Sequence, residues 1–309
     1  MKAFVTGVNG QLGHDVMNEL ASRGHQVLGS GLSPAYGGKQ DGAALLPYAQ
    51  MDVTDAADVR TVLEAFRPDA VVHCAAWTAV DAAEEPRHRG RVFAVNAAGT
   101  RHVAQACGTL GCKMLYMSTD YVFDGQGSDP WQPDGEAFAP LNVYGLSKLE
   151  GERAVRDLLD RFFIVRTAWL FGANGHNFVR TMLRLADAHD TLRVVNDQIG
   201  TPTCAFDLAR LLADMIGTER YGTWHAANEG GFISRAGFAE EIFRQDAERK
   251  GLPAPRCRVI PVTTAEYGLS GAERPLNGRL DTSKLAREGF RPLPDWKDAL
   301  KRYLADAGA

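Results

Sequence analysis

Along the first half of the chain, short apolar runs alternate with longer stretches whose apolar positions recur at helical spacing. The runs are Lys2 to Thr6, Gln26 to Gly29, Ala70 to Cys74, Lys113 to Met117 and Phe162 to Arg166, and the helical stretches fall near 11 to 23, 55 to 66, 92 to 110 and 145 to 160. Runs apolar without a strict period of two describe strands buried on both faces. Local signals mark the helix ends: Asp52-Val53-Thr54-Asp55 offers N-cap oxygens before Ala56, and Arg67-Pro68-Asp69 closes that helix before the next strand. The segment 30 to 49, with Gly31, Gly37, Gly38 and Gly42, reads as a surface loop.

Strand and helix in regular alternation predict an α/β fold, a doubly wound parallel sheet of Rossmann-like form with helices on both faces. After about residue 172 the rhythm changes. A helix carrying Phe178, Met182 and Leu185 precedes Arg193-Val194-Val195 and Asp197-Gln198-Ile199-Gly200-Thr201-Pro202-Thr203. Later come Thr223 to Ala227, a helix near 234 to 249 and a last one near 295 to 305. There is no internal repeat. Two lobes are therefore expected: residues 1–171 as a dinucleotide-binding domain, and 172–309 mainly as a smaller C-terminal substrate-binding lobe, some of whose strands and helices return to the first domain. That lobe is expected against the sheet's C-terminal edge, where doubly wound folds bind ligands.

Composition narrows the partners. A net charge of -4 and a pI near 6.1 argue against a protein that holds a polyanion, so nucleic acid is not expected. No stretch approaches the roughly 18 apolar residues of a membrane span. The N-terminal MKAFVTG enters a strand at once, leaving no room for a signal peptide. The five cysteines at 74, 107, 112, 204 and 257 form no Cys-x-x-Cys pair, which fits reduced thiols in a cytoplasm. No His stands at metal-ligand spacing from them, and no metal is assigned.

Thr6-Gly7-Val8-Asn9-Gly10-Gln11-Leu12-Gly13 follows the first strand and opens the first helix. Glycines let the backbone turn tightly and approach a pyrophosphate, toward which the helix N-terminus directs free N–H groups. The spacing is Gly-x-x-Gly-x-x-Gly, which differs from the dehydrogenase Gly-x-Gly-x-x-Gly. At the end of the second strand, Leu28-Gly29-Ser30-Gly31 lacks the carboxylate that an NAD-specific site places on the ribose 2′-hydroxyl. NADPH is therefore the expected cofactor, with NADH possible. Asp52 and Val53 are candidates for the adenine, although Asp52 could equally serve as a helix cap. Ala75, Ala76 and Thr78 either leave room for cofactor ribose and phosphate or pack a strand tightly against a helix.

Tyr144-Gly145-Leu146-Ser147-Lys148 opens a helix, and the four-residue spacing puts Tyr144 and Lys148 on one face. A lysine ammonium beside a phenol favours the phenolate and lowers the tyrosine pKa, preparing a proton donor for a carbonyl oxygen. Upstream, the apolar run ending at Met117 stops at Ser118-Thr119-Asp120-Tyr121, hydroxyls and a carboxylate at a strand end. With the glycine loop and Tyr-x-x-x-Lys, the chain resembles the extended short-chain dehydrogenase/reductase superfamily. Within it, Ser118 to Phe123, Pro140 to Gly145 with Lys148, Arg166 to Trp169, Asn177-Phe178 and the run Asp197 to Thr203 resemble the dTDP-4-dehydrorhamnose reductase family.

The resemblance implies reduction of a nucleotide-bound 4-keto-6-deoxyhexose by NADPH. It implies that Thr119 hydrogen-bonds the substrate carbonyl, Tyr144 donates the proton and Lys148 tunes Tyr144 while binding nicotinamide ribose. Gly7, Gly10, Gln11, Leu12 and Gly13 correspond to pyrophosphate contacts, Asp52 and Val53 lie near adenine, and Ala75, Ala76 and Thr78 lie along the ribose. Asp120, Tyr121, Trp169, Asn177 and Gln198 correspond to the substrate side. For the substrate's diphosphate, Arg180, Arg184 and Arg274 are candidates, each also readable as a solvated helix or loop charge. Trp77 stands where a His or small polar residue is expected, and Gly278 interrupts an expected Arg-Pro-x-x-Ser-x-Leu run. Epimerases and dehydratases of nucleotide sugars share Thr/Ser, Tyr and Lys, and a non-catalytic NADP-binding regulatory subunit could keep them too. The expected partners are a small nucleotide sugar and at most a second copy of the chain, with no nucleic acid and no membrane.

Overall fold

In the computed structural model, which describes residues 1–307, the apolar runs are strands of one parallel sheet. β1 (Lys2–Thr6), β2 (Gln26–Gly31), β3 (Tyr48–Gln50), β4 (Ala70–His73), β5 (Lys113–Thr119) and β6 (Phe162–Thr167) are joined at one edge by the strand Gly222–His225. The seven strands run in the order Gly222–His225, β6, β5, β4, β1, β2, β3, every pair parallel. The order reverses between β1 and β4, which opens a crevice at the C-terminal ends of those strands.

The helices of the first half are α1 (Gln11–Ser22), α2 (Ala56–Phe66), α3 (Val80–Ala83), α4 (Pro86–Phe93), α5 (Thr100–Leu110) and α6 (Val143–Leu158). Asp55 caps α2, its carboxylate accepting from the N–H groups of Ala57 and Asp58, and Arg67 ends it in the left-handed region at φ 52°. The stretch expected as a helix over 92 to 110 starts earlier, at Pro86, whose fixed φ and missing N–H suit a first helical position. A π-turn over Ala94–Gly99 joins α4 to α5 and lets buried Asn96 face the loop after β4.

Beyond β6 come α7 (Phe178–Ala186), α8 (Ala205–Ile216) and α9 (Arg235–Arg249). Three apolar clusters organise the molecule. One packs α1 and α8 against one face of the sheet, and another packs α2, α5 and part of α6 against the other face. The third holds α7, α9 and the final helix Trp296–Ala307 together around Phe171 and Phe238. The strand Gly222–His225 and α8 thus belong to the layers of the main sheet although they follow residue 172.

The segment read as a surface loop, 30 to 49, has structure. It holds the end of β2, a 3₁₀ turn at Gly42–Leu45 and strand β3. Its backbone also reaches the glycine loop, with Gly37 N–H donating to Asn9 Oδ1 at 3.0 Å. The glycines concealed these contacts because they interrupt apolar periodicity.

Candidate active site

One cleft of about 980 Å³ lies over the C-terminal ends of the strands and runs from the glycine loop to α9. At the glycine end the backbone does the shaping. Gly7 has φ +68°, and a Cβ there would lie 2.7 Å from Ala75 Cα; a Cβ at Gly13 would lie 2.5 Å from Gly7 O. Glycine is thus required for the loop to pass under α1 and lie against the end of β4. Gly10 precedes α1 without a side-chain cap, so the first N–H groups of the helix face the cleft, as an anionic pyrophosphate requires.

Behind the loop, Ala75 N–H donates to Thr6 Oγ1 at 3.0 Å, and Thr6 Oγ1 meets His73 Nδ1 at 2.8 Å. Burial holds His73 neutral, drawing its pKa down to about 3. At the far end, Ser30, Gly31, Leu32 and Ser33 line the cleft with Asp52, Val53 and Arg91. Asp52 keeps both roles its position allowed. Its carboxylate accepts from Thr54 N–H at 2.9 Å, yet the residue lines the cleft and meets Arg91 at 3.5 Å. Arg91 comes from α4 and was invisible to a reading of β2 and its loop.

The reacting groups meet in the middle. Asn142 caps α6, accepting from Gly145 N–H at 2.8 Å while its amide donates to Glu273 O at 2.7 Å. A Cβ at Gly145 would lie 2.2 Å from Tyr121 O, so glycine lets the start of α6 press against the segment after β5. That contact brings Tyr144 beside Thr119, with the Tyr121 and Tyr144 rings edge to face at 5.7 Å. Burial keeps Tyr144 above its ordinary range, opposed by the neighbouring Thr119 hydroxyl. With desolvation the largest influence, Tyr144 stands as a neutral phenol with a proton to give. Lys148, 4.2 Å over the Tyr116 ring, is drawn down to about 7 by burial, while Glu152 pulls it up.

A buried ionic knot stands behind these groups. Glu152, fully buried one turn beyond Lys148, accepts from Ser118 Oγ at 2.6 Å, Arg166 Nε at 2.8 Å and Arg156 Nη1 at 3.1 Å. These contacts tie α6 to β5 one residue before Thr119 and to β6 just before Thr167, Ala168 and Trp169. Arg166 entered the sequence reading only as part of a family motif and Glu152 not at all, since their pairing depends on the sheet order.

At the opposite wall, Asp120 is buried, and burial pushes its carboxyl up to about 7. Thr119 Oγ1 donates to Asp120 Oδ1 at 3.0 Å, while Asp120 Oδ2 has no partner among the described residues. Trp169 has φ +49°, a strained conformation for so bulky a side chain. A Cβ at Gly200 would lie 2.9 Å from its indole, so glycine lets the ring lie flat on the backbone there. Arg235, the first residue of α9, lies over the indole at 3.8 Å from the ring centroid.

The structure gathers into this one cleft Gly7, Gly10, Gln11, Leu12, Gly13, Asp52, Val53, Ala75, Ala76, Thr78, Thr119, Asp120, Tyr121, Tyr144, Lys148 and Trp169. Asn177 and Gln198 lie outside its lining. Asn177 caps α7, accepting from Arg180 N–H at 3.0 Å and donating to Gly172 O at 2.9 Å. Gln198 donates to Thr264 Oγ1 at 3.2 Å. Among the arginine candidates, Arg180 turns to the carbonyls of Ala173 and Gly175, Arg184 is exposed, and Arg274 pairs with Asp81 at 2.7 Å. Trp77, the expected departure, lines the cleft with its backbone bonded to Asn96.

A glycine-loop nucleotide cradle joined to a Thr, Tyr and Lys set is the arrangement of the extended short-chain dehydrogenase/reductase class. The family model described as RmlD substrate binding domain matches residues 1–308. A dTDP-4-dehydrorhamnose reductase of Streptomyces griseus is 42% identical over 96% of this chain and 91% of its own, and one from Escherichia coli K12 is 34% identical over 98% and 97%. The crystal structure of dTDP-4-dehydrorhamnose reductase from Bacillus anthracis in complex with NADP superposes with a TM-score of 0.85 at 35% identity, covering 99% of both chains. The chain belongs to the dTDP-4-dehydrorhamnose reductase family.

Proposed function

We propose that this chain uses NADPH to reduce the C4 keto group of dTDP-4-dehydro-6-deoxy-L-hexose, dTDP-4-dehydrorhamnose, to give dTDP-L-rhamnose. The observation that carries this reading is the convergence of Thr119, Tyr144 and Lys148 in the same cleft as an uncapped, glycine-shaped helix N-terminus. The absence of a carboxylate from Ser30 to Ser33, with Arg91 across the cleft, suits a 2′-phosphate. Bound NADPH supplies the hydride that reduces the sugar carbonyl.

The chain's own residues orient the reactants and stabilise charge. Thr119 turns its O–H from Asp120 to the carbonyl oxygen, which Tyr144 also contacts as a neutral phenol. As negative charge develops on that oxygen, Tyr144 gives up its proton, and the buried Lys148 ammonium stabilises the resulting phenolate. Glu152 opposes the burial that draws Lys148 down and so helps it hold its charge. Gly7, Gly10, Gln11, Leu12 and Gly13 hold the pyrophosphate, Asp52 and Val53 flank the adenine, and Ala75, Ala76 and Thr78 follow the ribose. Asp120, Tyr121 and Trp169 form the sugar's wall, with Asn177 and Gln198 supporting that wall from outside. In this reading residues 1–171 carry the cofactor and the reacting groups, and 172–309 mainly complete the substrate side. The free state of all five cysteines suits a cytoplasmic reaction, with the chain acting as a monomer or homodimer.

The test is stoichiometric: purified protein mixed with the keto sugar should oxidise one NADPH per sugar reduced. Epimerised or dehydrated sugar without NADPH loss would favour the other nucleotide-sugar enzymes. NADPH binding with no turnover of any keto sugar would favour a regulatory subunit.

A further inference from the structure

The cleft contains one cation that the proposed chemistry does not use. The Arg235 guanidinium lies over two aromatic rings, 3.8 Å from the Trp169 centroid and 5.1 Å from that of Phe178. Stacking immobilises the guanidinium plane and leaves its N–H edges as the only route to a partner. Among the described residues no acceptor takes a hydrogen bond from that guanidinium and no carboxylate forms an ion pair with it. Arg235 is half-buried, and the desolvation this brings draws it down to about 10. A second guanidinium, that of Arg274, faces the same Tyr121 phenol and adds repulsion, but it is anchored to Asp81. The carboxylate facing Arg235, that of Asp120, is itself pushed up to about 7 and is only partly charged at neutral pH.

A half-buried cation with a like charge nearby is stabilised by an anion, and the side chains here supply only the partly charged carboxylate of Asp120. We propose that Arg235, held by Trp169 and Phe178, is the anchor for the diphosphate of the nucleotide-sugar substrate. This rests on the proposed function and adds to it the residue that reads the substrate's charge. It also gives the strained Trp169 a purpose: in its left-handed conformation the indole lies close to Gly200 and under the Arg235 guanidinium, for which it serves as the platform. The cofactor's own pyrophosphate belongs to the glycine loop at the other end of the cleft, so the two anions have separate receptors.

The experiment is calorimetric titration of wild-type protein, Arg235→Met and Arg235→Lys with three probes: dTDP, thymidine and NADPH. Arg235→Met keeps an unbranched side chain for the stack and removes the charge. It should weaken dTDP binding at least tenfold, leave thymidine within twofold and leave NADPH unchanged. Arg235→Lys should recover part of the loss, and raising the salt concentration should weaken dTDP binding less in Arg235→Met than in wild type. Unchanged dTDP affinity in Arg235→Met would overturn the proposal. So would an equal loss for thymidine, which would show that Arg235 only shapes the wall. If Arg235→Met fails to bind NADPH and is therefore misfolded, Arg235→Ala and Arg235→Lys decide: dTDP affinity undiminished in Arg235→Ala would overturn the proposal, and a loss in Arg235→Ala that Arg235→Lys partly recovers would support it. Because all three probes report binding without turnover, failure of the proposed reaction would be seen separately, as absent NADPH oxidation in a wild type that still binds dTDP.

Discussion

In the proposed function the two ends of the cleft recognise ligands by different means. At the glycine end the fold supplies backbone: Gly7 and Gly13 tolerate no Cβ, α1 starts without a side-chain cap, and the N–H groups themselves are the receptor. At the sugar end, the fold supplies side chains whose properties are altered by burial: Asp120 near 7, a strained Trp169, an unpaired Arg235 and a phenol kept neutral. A receptor made of backbone is preformed and insensitive to pH. One made of buried ionisable groups holds its strain and desolvation until a ligand compensates them. Between the two ends, Glu152 fixes the strand end of Thr119 to the helix of Tyr144 and Lys148.

The largest effect should fall on the reacting phenol. Tyr144→Phe should lower turnover by about 10²–10⁴-fold while NADPH affinity stays near wild type, read by steady-state kinetics and fluorescence titration. Wild-type turnover would remove Tyr144 from the chemistry, and a loss of cofactor affinity alone would move it to the other end of the comparison.

Next comes the knot. Glu152→Gln leaves the fully buried Arg166 facing Arg156 without a counter-charge, and thermal and urea unfolding should show a loss of about 3–5 kcal/mol. Where the variant folds, the pH profile of turnover should also move to lower pH on its alkaline side, because Lys148 loses the carboxylate that supports its charge. A stable variant with an unmoved profile would show that Glu152 is only packing.

Gly7→Ala probes the backbone end. The strained φ and the approach to Ala75 should displace the loop, weakening NADPH at least tenfold while turnover at saturating NADPH remains near wild type. A fall in turnover with intact NADPH affinity would mean that the loop governs the reacting end as well.

A further effect is a pH dependence of stability. Asp120 has its folded pKa raised from 3.8 to about 7, so between those values the folded state holds a proton that the unfolded state releases. Its contribution is therefore full below about pH 4 and is lost as pH rises through 7. Asp120→Asn should remove that decline, so its melting temperature relative to wild type should rise from pH 4 to pH 7.5. A constant difference would mean that Asp120 is already ionised in the folded state.

Much of the backbone end was legible in the sequence, because glycine spacing between a strand and a helix is a local signal. So were Thr119, Tyr144 and Lys148, which lie at a strand end and on one helix face. The side-chain end was less so. Arg235 gains meaning only from Trp169, more than sixty residues away in the chain, and Arg91 and Glu152 depend on which strands and helices become neighbours. Asn177 and Gln198 sit in motifs that suggested substrate contact, yet their amides hold α7 and the strand before α8 in place. Arg180 and Arg184 lie on a helix whose direction the sequence did not specify. Gly37 and Gly38 obscured a loop that braces the phosphate cradle.

The central claim is that this cleft reduces a sugar carbonyl, and isotope transfer tests it most directly. NADPH deuterated at nicotinamide C4 on the transferred face, incubated with the enzyme and dTDP-4-dehydrorhamnose, should give dTDP-L-rhamnose with one deuterium at C4 of the hexose, resolved by NMR. Deuterium retained in the cofactor while the sugar is transformed, or no labelled sugar from a protein that binds both ligands, would contradict the account.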